Sequence, residues 1–339
     1  MTSLLAGDIG GTKTLLALYR LEGEALLQER SERFVSADWP DFTELLRHFL
    51  AKGPADEPRP SWGCLAVAGP VRHGRVKVTN LPWELDQAVL TASCELQHLE
   101  LVNDFAVLIY GLPHLSDAQQ RPLRPVSGGP DRSYPVAILG AGTGLGVALG
   151  IPGESGLQAI ASEASHGEFA PRCEQEWQLK RWLMADLGLQ RLSIERVVSG
   201  TGLGEVMRWL LAVDGHSSRH PLQNSERREL PAATAAHAEA GDPLAQQALQ
   251  LWLGAYGSAA GDIALHSLCL GGLWVGGGTA GKLLSHLQSP AFLEPLLAKG
   301  RLSTVLEQVP VMALTDPEAG IHGAACRARM LALAGQVGH

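Results

Sequence analysis

The sequence predicts an α/β layered protein with enough chain for about two domains. Short apolar runs bounded by turn residues alternate with stretches whose apolar residues recur at helical spacing, the pattern of strands covered by helices. Three glycine clusters, GDIGGTKT from Gly7, GAGTGLG from Gly140 and GGGTAG from Gly276, each follow such an apolar run. The length of 339 residues is about twice that of a typical domain.

Residues 3–9 form the first apolar run, and residues 62–71 a second, stopped by Gly69-Pro70. Residues 75–79 alternate polar and apolar, as a half-buried strand does, and residues 99–102 form a short strand running into Asn103-Asp104. Residues 41–50 carry apolar side chains at helical spacing, and residues 105–112 also read as helix. Residues 13–21 fit two descriptions. Their Leu, Ala and Arg favour helix by propensity, while the Gly-Gly-Thr before them suits a turn between two strands.

Residues 119–135 read as a loop rich in Pro, Gly and Arg, before a strand–glycine–strand unit at 136–150. Helices are expected near 174–187, 202–213 and 232–239, with a polar connector at 217–229. Asp242-Pro243 is an N-cap followed by a first-turn proline, and opens a long helix from residue 244 with several small residues along it. A strand at 273–275, a helix from about 279, a strand at 309–314 and a helix at 319–333 complete the chain.

Composition excludes several classes. With 27 Lys+Arg against 35 Asp+Glu, the net charge is −8, and phosphate neutralisation on nucleic acid or an anionic membrane needs a basic face. Hydrophobic residues at 45% exclude disorder as the main state. The five cysteines are scattered and lack metal-ligand spacing, which reads as reduced, buried thiols. The N-terminal residues do not read as a signal peptide, and no uninterrupted apolar run reaches the ~18 residues of a membrane span. The cytoplasm is the expected compartment.

The glycine clusters suit phosphate, because glycine lets backbone N–H groups approach oxygens without a Cβ in the way. Thr12 and Thr143 would add hydroxyl donors, and Asp8 could hold Mg²⁺ through its water shell. Tight turns are the structural alternative for each cluster alone. The segment at Gly7 lacks the glycine before lysine of a Walker A loop, and the GxGxxG at Gly276, Gly278 and Gly281 lacks the acidic partner of a dinucleotide site. Asp104, at the end of a strand, could accept a proton from a substrate hydroxyl with Asn103 bonding a neighbouring one, or could simply cap the next helix. Glu163 and His166 have the i, i+3 spacing that places a carboxylate and an imidazole on one side of a turn. Glu195, read by itself, is an ordinary solvated charge.

With GDIGGTKT, LVNDFAV, GAGTGLGVA, SEASHGEFAP, ERVVSGTGL, GGLWVGGG and DPEAGIHGAA in this order, the chain resembles the bacterial glucokinases of the hexokinase-like, actin-type ATPase superfamily, over nearly its whole length. The resemblance implies a two-domain actin-like ATPase (ribonuclease H-like) fold with an inter-domain cleft. Residues 1–112 plus 318–339 would form the small domain and 113–317 the large one, with 13–21 as strand. It implies that Gly7, Asp8, Ile9, Gly10, Gly11 and Thr12 form a first phosphate loop, and that Gly142, Thr143 and Gly144 belong to a second. Gly277, with residues 199–203, would lie near the adenosine. Asp104 is implied as general base, and Asn103, Glu163, His166 and Glu195 as ligands of D-glucose. ATP and Mg²⁺, with Asp8 holding the metal through water, are the implied cofactors, and a homodimer the implied assembly. Thr79-Asn80 falls in a segment near the sugar.

Three departures from the family pattern stand out. Lys13 replaces a common Asn, SEASH replaces a glycine-rich GEGGH, and the cysteine cluster of zinc-binding relatives is absent. The implied reaction is phosphoryl transfer from ATP to the 6-hydroxyl of glucose. The alternatives are a broader hexose kinase acting on mannose or fructose or using polyphosphate, a sugar-sensing regulator, which would need an N-terminal helix-turn-helix, and a chaperone-like ATPase without a sugar site.

Overall fold

The structure is a computed structural model that describes residues 2–53, 58–126, 129–213 and 220–337. Two compact units divide it: Met1–Ser116 with Gly150–Ala161 and Asp316–His339, and Asp117–Leu149 with Ser162–Thr315.

In the first unit, strands β1 (Thr2–Ile9), β2 (Lys13–Glu22), β3 (Ala25–Val35), β4 (Trp62–Val67) and β7 (His98–Asn103) form a sheet of order β3-β2-β1-β4-β7. The β1–β2 and β2–β3 pairs are antiparallel, and β1–β4 and β4–β7 parallel. Residues 13–21 are therefore strand. Their helix-favouring Leu and Ala are overruled because β2 is hydrogen-bonded on both edges and its centre, Leu16–Tyr19, is buried. A small ribbon of β5 (Arg75–Lys77) and β6 (Glu84–Asp86) contributes Val76 and Leu85 to the same apolar core.

Helix α1 (Phe42–Ala51) starts where predicted, since the Asp41 carboxylate accepts from the N–H groups of Thr43 and Glu44 at 2.7 and 3.2 Å. Helix α2 (Gln87–Ser93), which the sequence pattern did not reveal, is capped in the same way by Asp86. Of residues 105–112, the α-helical part is α3 (Leu108–Gly111), preceded by turns.

A second sheet has the order β11-β10-β9-β12-β13-β8, built from β8 (Gln120–Pro122), β9 (Val136–Ala141), β10 (Leu145–Gly153), β11 (Gly156–Ser162), β12 (Gly272–Gly276) and β13 (Val311–Leu314); β8, β9, β12 and β13 lie in the second unit, and residues 150–161 of β10 and β11 are grouped with the first. The β9–β12 and β12–β13 pairs are parallel. Residues 119–135 are not loop throughout: β8 adds antiparallel to β13 at the sheet edge, where a proline is tolerated.

Helices α4 (Glu174–Asp186), α5 (Gly200–Val213), α6 (Leu230–Glu239), α7 (Pro243–Ser267), α8 (Leu284–Leu287), α9 (Pro290–Leu297) and α10 (Ser303–Leu306) contribute to one large apolar core with the sheet. Asp242 caps α7 by accepting from the Ala245 N–H at 2.8 Å. The small residues of α7 have a packing reason, because the α-carbons of Gly257 and Gly261 lie directly under the carbonyls of Phe292 and Leu296 on α9. The helix expected from residue 279 begins only at Leu284, after turns. Of the connector at 217–229, residues 217–219 lie outside the described residues, and Pro221–Asn224 form a short 3₁₀ turn.

The last helix, α11 (Ala319–Val337), returns to the first unit and packs on β1, β4 and α3. Cys64, Cys94, Cys173, Cys269 and Cys326 are all unpaired thiols, and Cys94 and Cys173 are not buried. No helix among the described residues is long and apolar enough to cross a membrane.

Candidate active site

The first glycine loop is the turn of the β1–β2 hairpin, closed by the Gly10 N–H donating to the Lys13 carbonyl at 3.0 Å. A side chain at Gly11 would place its Cβ 2.9 Å from the Thr79 carbonyl oxygen, so this glycine is fixed by the approach of Thr79-Asn80 to the loop. Buried Ser36 supports the turn from behind. Its hydroxyl donates to the Gly10 carbonyl at 3.0 Å and its N–H to the Thr12 carbonyl at 3.1 Å, while the Thr14 hydroxyl lies 3.0 Å from its oxygen.

Asp8, half-buried near the end of β1, has its carboxyl pushed up to about 6, first by burial and then by the charge of Asp104, with Arg33 opposing. Arg33 on β3 also pairs with Glu318 at 3.1 Å. Sequence reasoning missed Arg33 because it lies on a strand with no motif around it. The Asp8 carboxylate rests against Gly320 in the first turn of α11, where a Cβ would stand 2.7 Å from Oδ2.

Asn103 ends β7 and Asp104 follows it, and the structure separates their tasks. The Asn103 amide oxygen accepts from the N–H groups of Phe105 and Ala106 at 3.1 and 3.0 Å, and so caps the following turn. Its amide nitrogen donates to the Gly69 carbonyl at 3.2 Å and to Asp104 Oδ1 at 2.9 Å. The Asp104 backbone N–H is held by the Val67 carbonyl at 3.0 Å, and its side chain is exposed. The cap is therefore Asn103, and Asp104 presents a carboxylate with a fixed base.

In the second unit, Gly142–Thr143–Gly144 links β9 to β10, with the Gly142 N–H donating to the Gly144 carbonyl at 2.8 Å. Half-buried Glu195 is no solvated charge. Its Oε2 accepts from the Leu145 N–H at 3.0 Å and lies against the α-carbon of Gly144, leaving no room for a Cβ there. The next residues close on the same loop: the Gly200 N–H donates to the Gly142 carbonyl at 2.7 Å and the Thr201 hydroxyl to the Thr143 carbonyl at 3.1 Å. Thr201 is itself 3.0 Å from the Ser199 hydroxyl, which accepts from the Gly202 N–H.

Glu163 precedes the 3₁₀ turn Ala164–His166 and His166 ends it. They face each other at 3.7 Å, both largely exposed. The turn is tied to the Glu195 segment by the Ile194 N–H donating to the Gly167 carbonyl at 2.9 Å, and to Arg191, which donates to the His166 carbonyl at 2.9 Å. Gly277, at φ +82°, lies against the backbone of Ala141, whose carbonyl accepts from the Thr279 hydroxyl at 2.8 Å.

Each unit thus assembles its own group. The first brings together the first loop, Asp8, Asn103 and Asp104. The second brings together the second loop, Glu195, Glu163, His166 and Gly277.

The glucokinase family model matches residues 5–331. A glucokinase of Nostoc punctiforme is 39% identical over 345 aligned positions, covering 97% of this chain and all of the relative. Among solved structures, a glucokinase from an Antarctic psychrotroph superposes with a TM-score of 0.84 at 30% identity, covering 97% of this chain and 99% of that one. A glucokinase from Balamuthia mandrillaris, solved in complex with glucose, gives a TM-score of 0.75 at 23% identity over 97% and 94% of the two chains, a similarity that speaks for the fold alone. The fold is that of the two-domain actin-like ATPases to which sugar kinases belong, and with its family match running almost from end to end, this chain belongs to the glucokinase family.

Proposed function

We propose that the protein transfers the γ-phosphoryl group of ATP to the 6-hydroxyl of D-glucose, giving glucose 6-phosphate and ADP. The observation that carries this is the fixed carboxylate of Asp104, which Asn103 relieves of the capping task and orients through Oδ1. As the 6-oxygen attacks phosphorus, Asp104 takes its proton and the bond to the β-phosphate oxygen breaks, releasing ADP. A positioned base of this kind contributes about 10²–10⁴-fold.

Glu163, His166 and Glu195 are the groups we assign to the sugar's other hydroxyls, with Asn103 beside the reacting one, where it would exchange one of its amide bonds within the chain for the sugar. Such acceptors discriminate between epimers because a misplaced hydroxyl leaves them unpaired. The backbone N–H groups of the two glycine loops are assigned to the phosphates, and the Gly277 region to the adenosine.

The residues also suit Mg²⁺. Asp8 and Asp104 are two carboxylates close enough for one charge to disfavour the other, and Mg²⁺ is commonly held by one or two carboxylates, substrate phosphates and water. Asp8 would hold the ion through water, and the ion would neutralise charge on the transferring phosphoryl group. We extend the proposal to the cytoplasm and to a homodimer, the assembly being tested by light scattering on the purified protein.

The deciding experiment is a coupled assay with glucose, mannose and fructose against ATP, GTP and polyphosphate. Glucose with ATP should give the highest kcat/KM. Absence of glucose 6-phosphate at millimolar glucose and Mg-ATP would overturn the proposal.

A further inference from the structure

Both glycine loops are braced by the same device, although the bracing segments share no sequence. In each, two carbonyls of the loop are taken up from behind, one by a side-chain hydroxyl and one by a backbone N–H. In the first loop the hydroxyl of Ser36 holds the Gly10 carbonyl and its N–H the Thr12 carbonyl. In the second, the hydroxyl of Thr201 holds the Thr143 carbonyl and the Gly200 N–H the Gly142 carbonyl.

A trans peptide points its C=O and the following N–H in opposite directions. A carbonyl held from behind therefore turns the next N–H to the front. Besides Lys13, which follows the Thr12 carbonyl and opens β2, the N–H groups so aimed are Gly11 in the first loop, and Thr143 and Gly144 in the second. None of these three donates a hydrogen bond among the described residues. Consecutive N–H groups turned to one side make an anion-binding concavity.

We propose that Ser36 and Thr201 are positioning residues for the phosphoryl donor: each hydroxyl locks a glycine-loop peptide so that its N–H faces a phosphate oxygen. The proposal rests on the glycine loops being the phosphate sites, and it adds two hydroxyls that act through the loop backbone, one of them, Thr201, in the segment expected near the adenosine. A loop without its brace can rotate the peptide, which weakens phosphate binding and leaves the sugar groups in place.

The test uses the full chain with S36A, T201V and T201S. The KM for Mg-ATP should rise about 3- to 10-fold in S36A and in T201V, the scale of one lost hydrogen bond. The KM for glucose should stay within twofold, and T201S should restore the wild-type value. Amide chemical shifts of Gly11, Thr143 and Gly144 on titration with AMPPNP distinguish failure of the phosphate sites from failure of the bracing. No shift in the wild-type protein would overturn the phosphate-loop reading and this proposal with it. Shifts in the wild type, combined with an unchanged KM for Mg-ATP in T201V and S36A, would overturn the bracing role alone. An equal loss of glucose and nucleotide affinity that T201S does not rescue would mark Thr201 as a general structural residue and likewise overturn it.

Discussion

The amide nitrogen of Asn103 stands 2.9 Å from Oδ1 of Asp104, while the amide oxygen of the same side chain caps the turn that follows. Both donors and both acceptor positions of this amide are thereby used within the chain. Two adjacent residues at one strand end thus do different work, one closing the backbone and the other presenting a carboxylate.

The Asp104 assignment predicts that D104N lowers kcat by at least about 10²-fold. The amide keeps the volume and loses the base. Calorimetric titration should find glucose affinity changed by less than about fivefold, and near-normal turnover of a folded D104N protein would refute the assignment.

Glu163 is largely exposed, with His166 3.7 Å away, so its removal costs the fold little. E163Q should raise the KM for glucose by about tenfold or more, the scale of one charge-assisted hydrogen bond. The thermal midpoint should not move. Unchanged glucose affinity would remove Glu163 from the sugar site.

Glu195 holds the Leu145 N–H, which an amide oxygen can also do. E195Q should therefore keep wild-type stability and lose glucose affinity. E195A should in addition lose about 1–2 kcal/mol in urea denaturation, because it leaves a backbone donor without its partner. Equal stability of the two variants would contradict the bond to Leu145.

Asp8 gives a pH-dependent prediction. Its carboxyl is raised from 3.8 to about 6, so between these values the folded protein keeps a proton that the unfolded chain has released. Stability therefore falls as pH rises through this window, and the full penalty stands above it. D8N should be more stable than wild type at pH 7.5, by up to about 3 kcal/mol. The difference should vanish near pH 4, and activity should be lost. Denaturation curves at the two pH values check the sign, and a D8N protein no more stable at pH 7.5 would show that Asp8 is not strained by burial.

Local, short-range features are legible in the order of the amino acids. Strands β1, β4, β7, β9, β12 and β13 follow apolar runs, and the N-caps of α1 and α7 follow Asp41 and Asp242, because side-chain period and capping act within a few residues. The glycine clusters were legible for the same reason. The rest came from long-range packing. It made strand of residues 13–21 by pairing both their edges, and drew β8 out of an apparent loop by offering it the edge of β13. It took Glu195 from the surface to the backbone of residue 145, set Arg33 near Asp8, and placed Ser36 and Thr201 behind the glycine loops. These relationships join residues 25 to 58 positions apart, and such a contact leaves no periodicity in the chain. It forms only when strand pairing and core packing have brought distant backbone together.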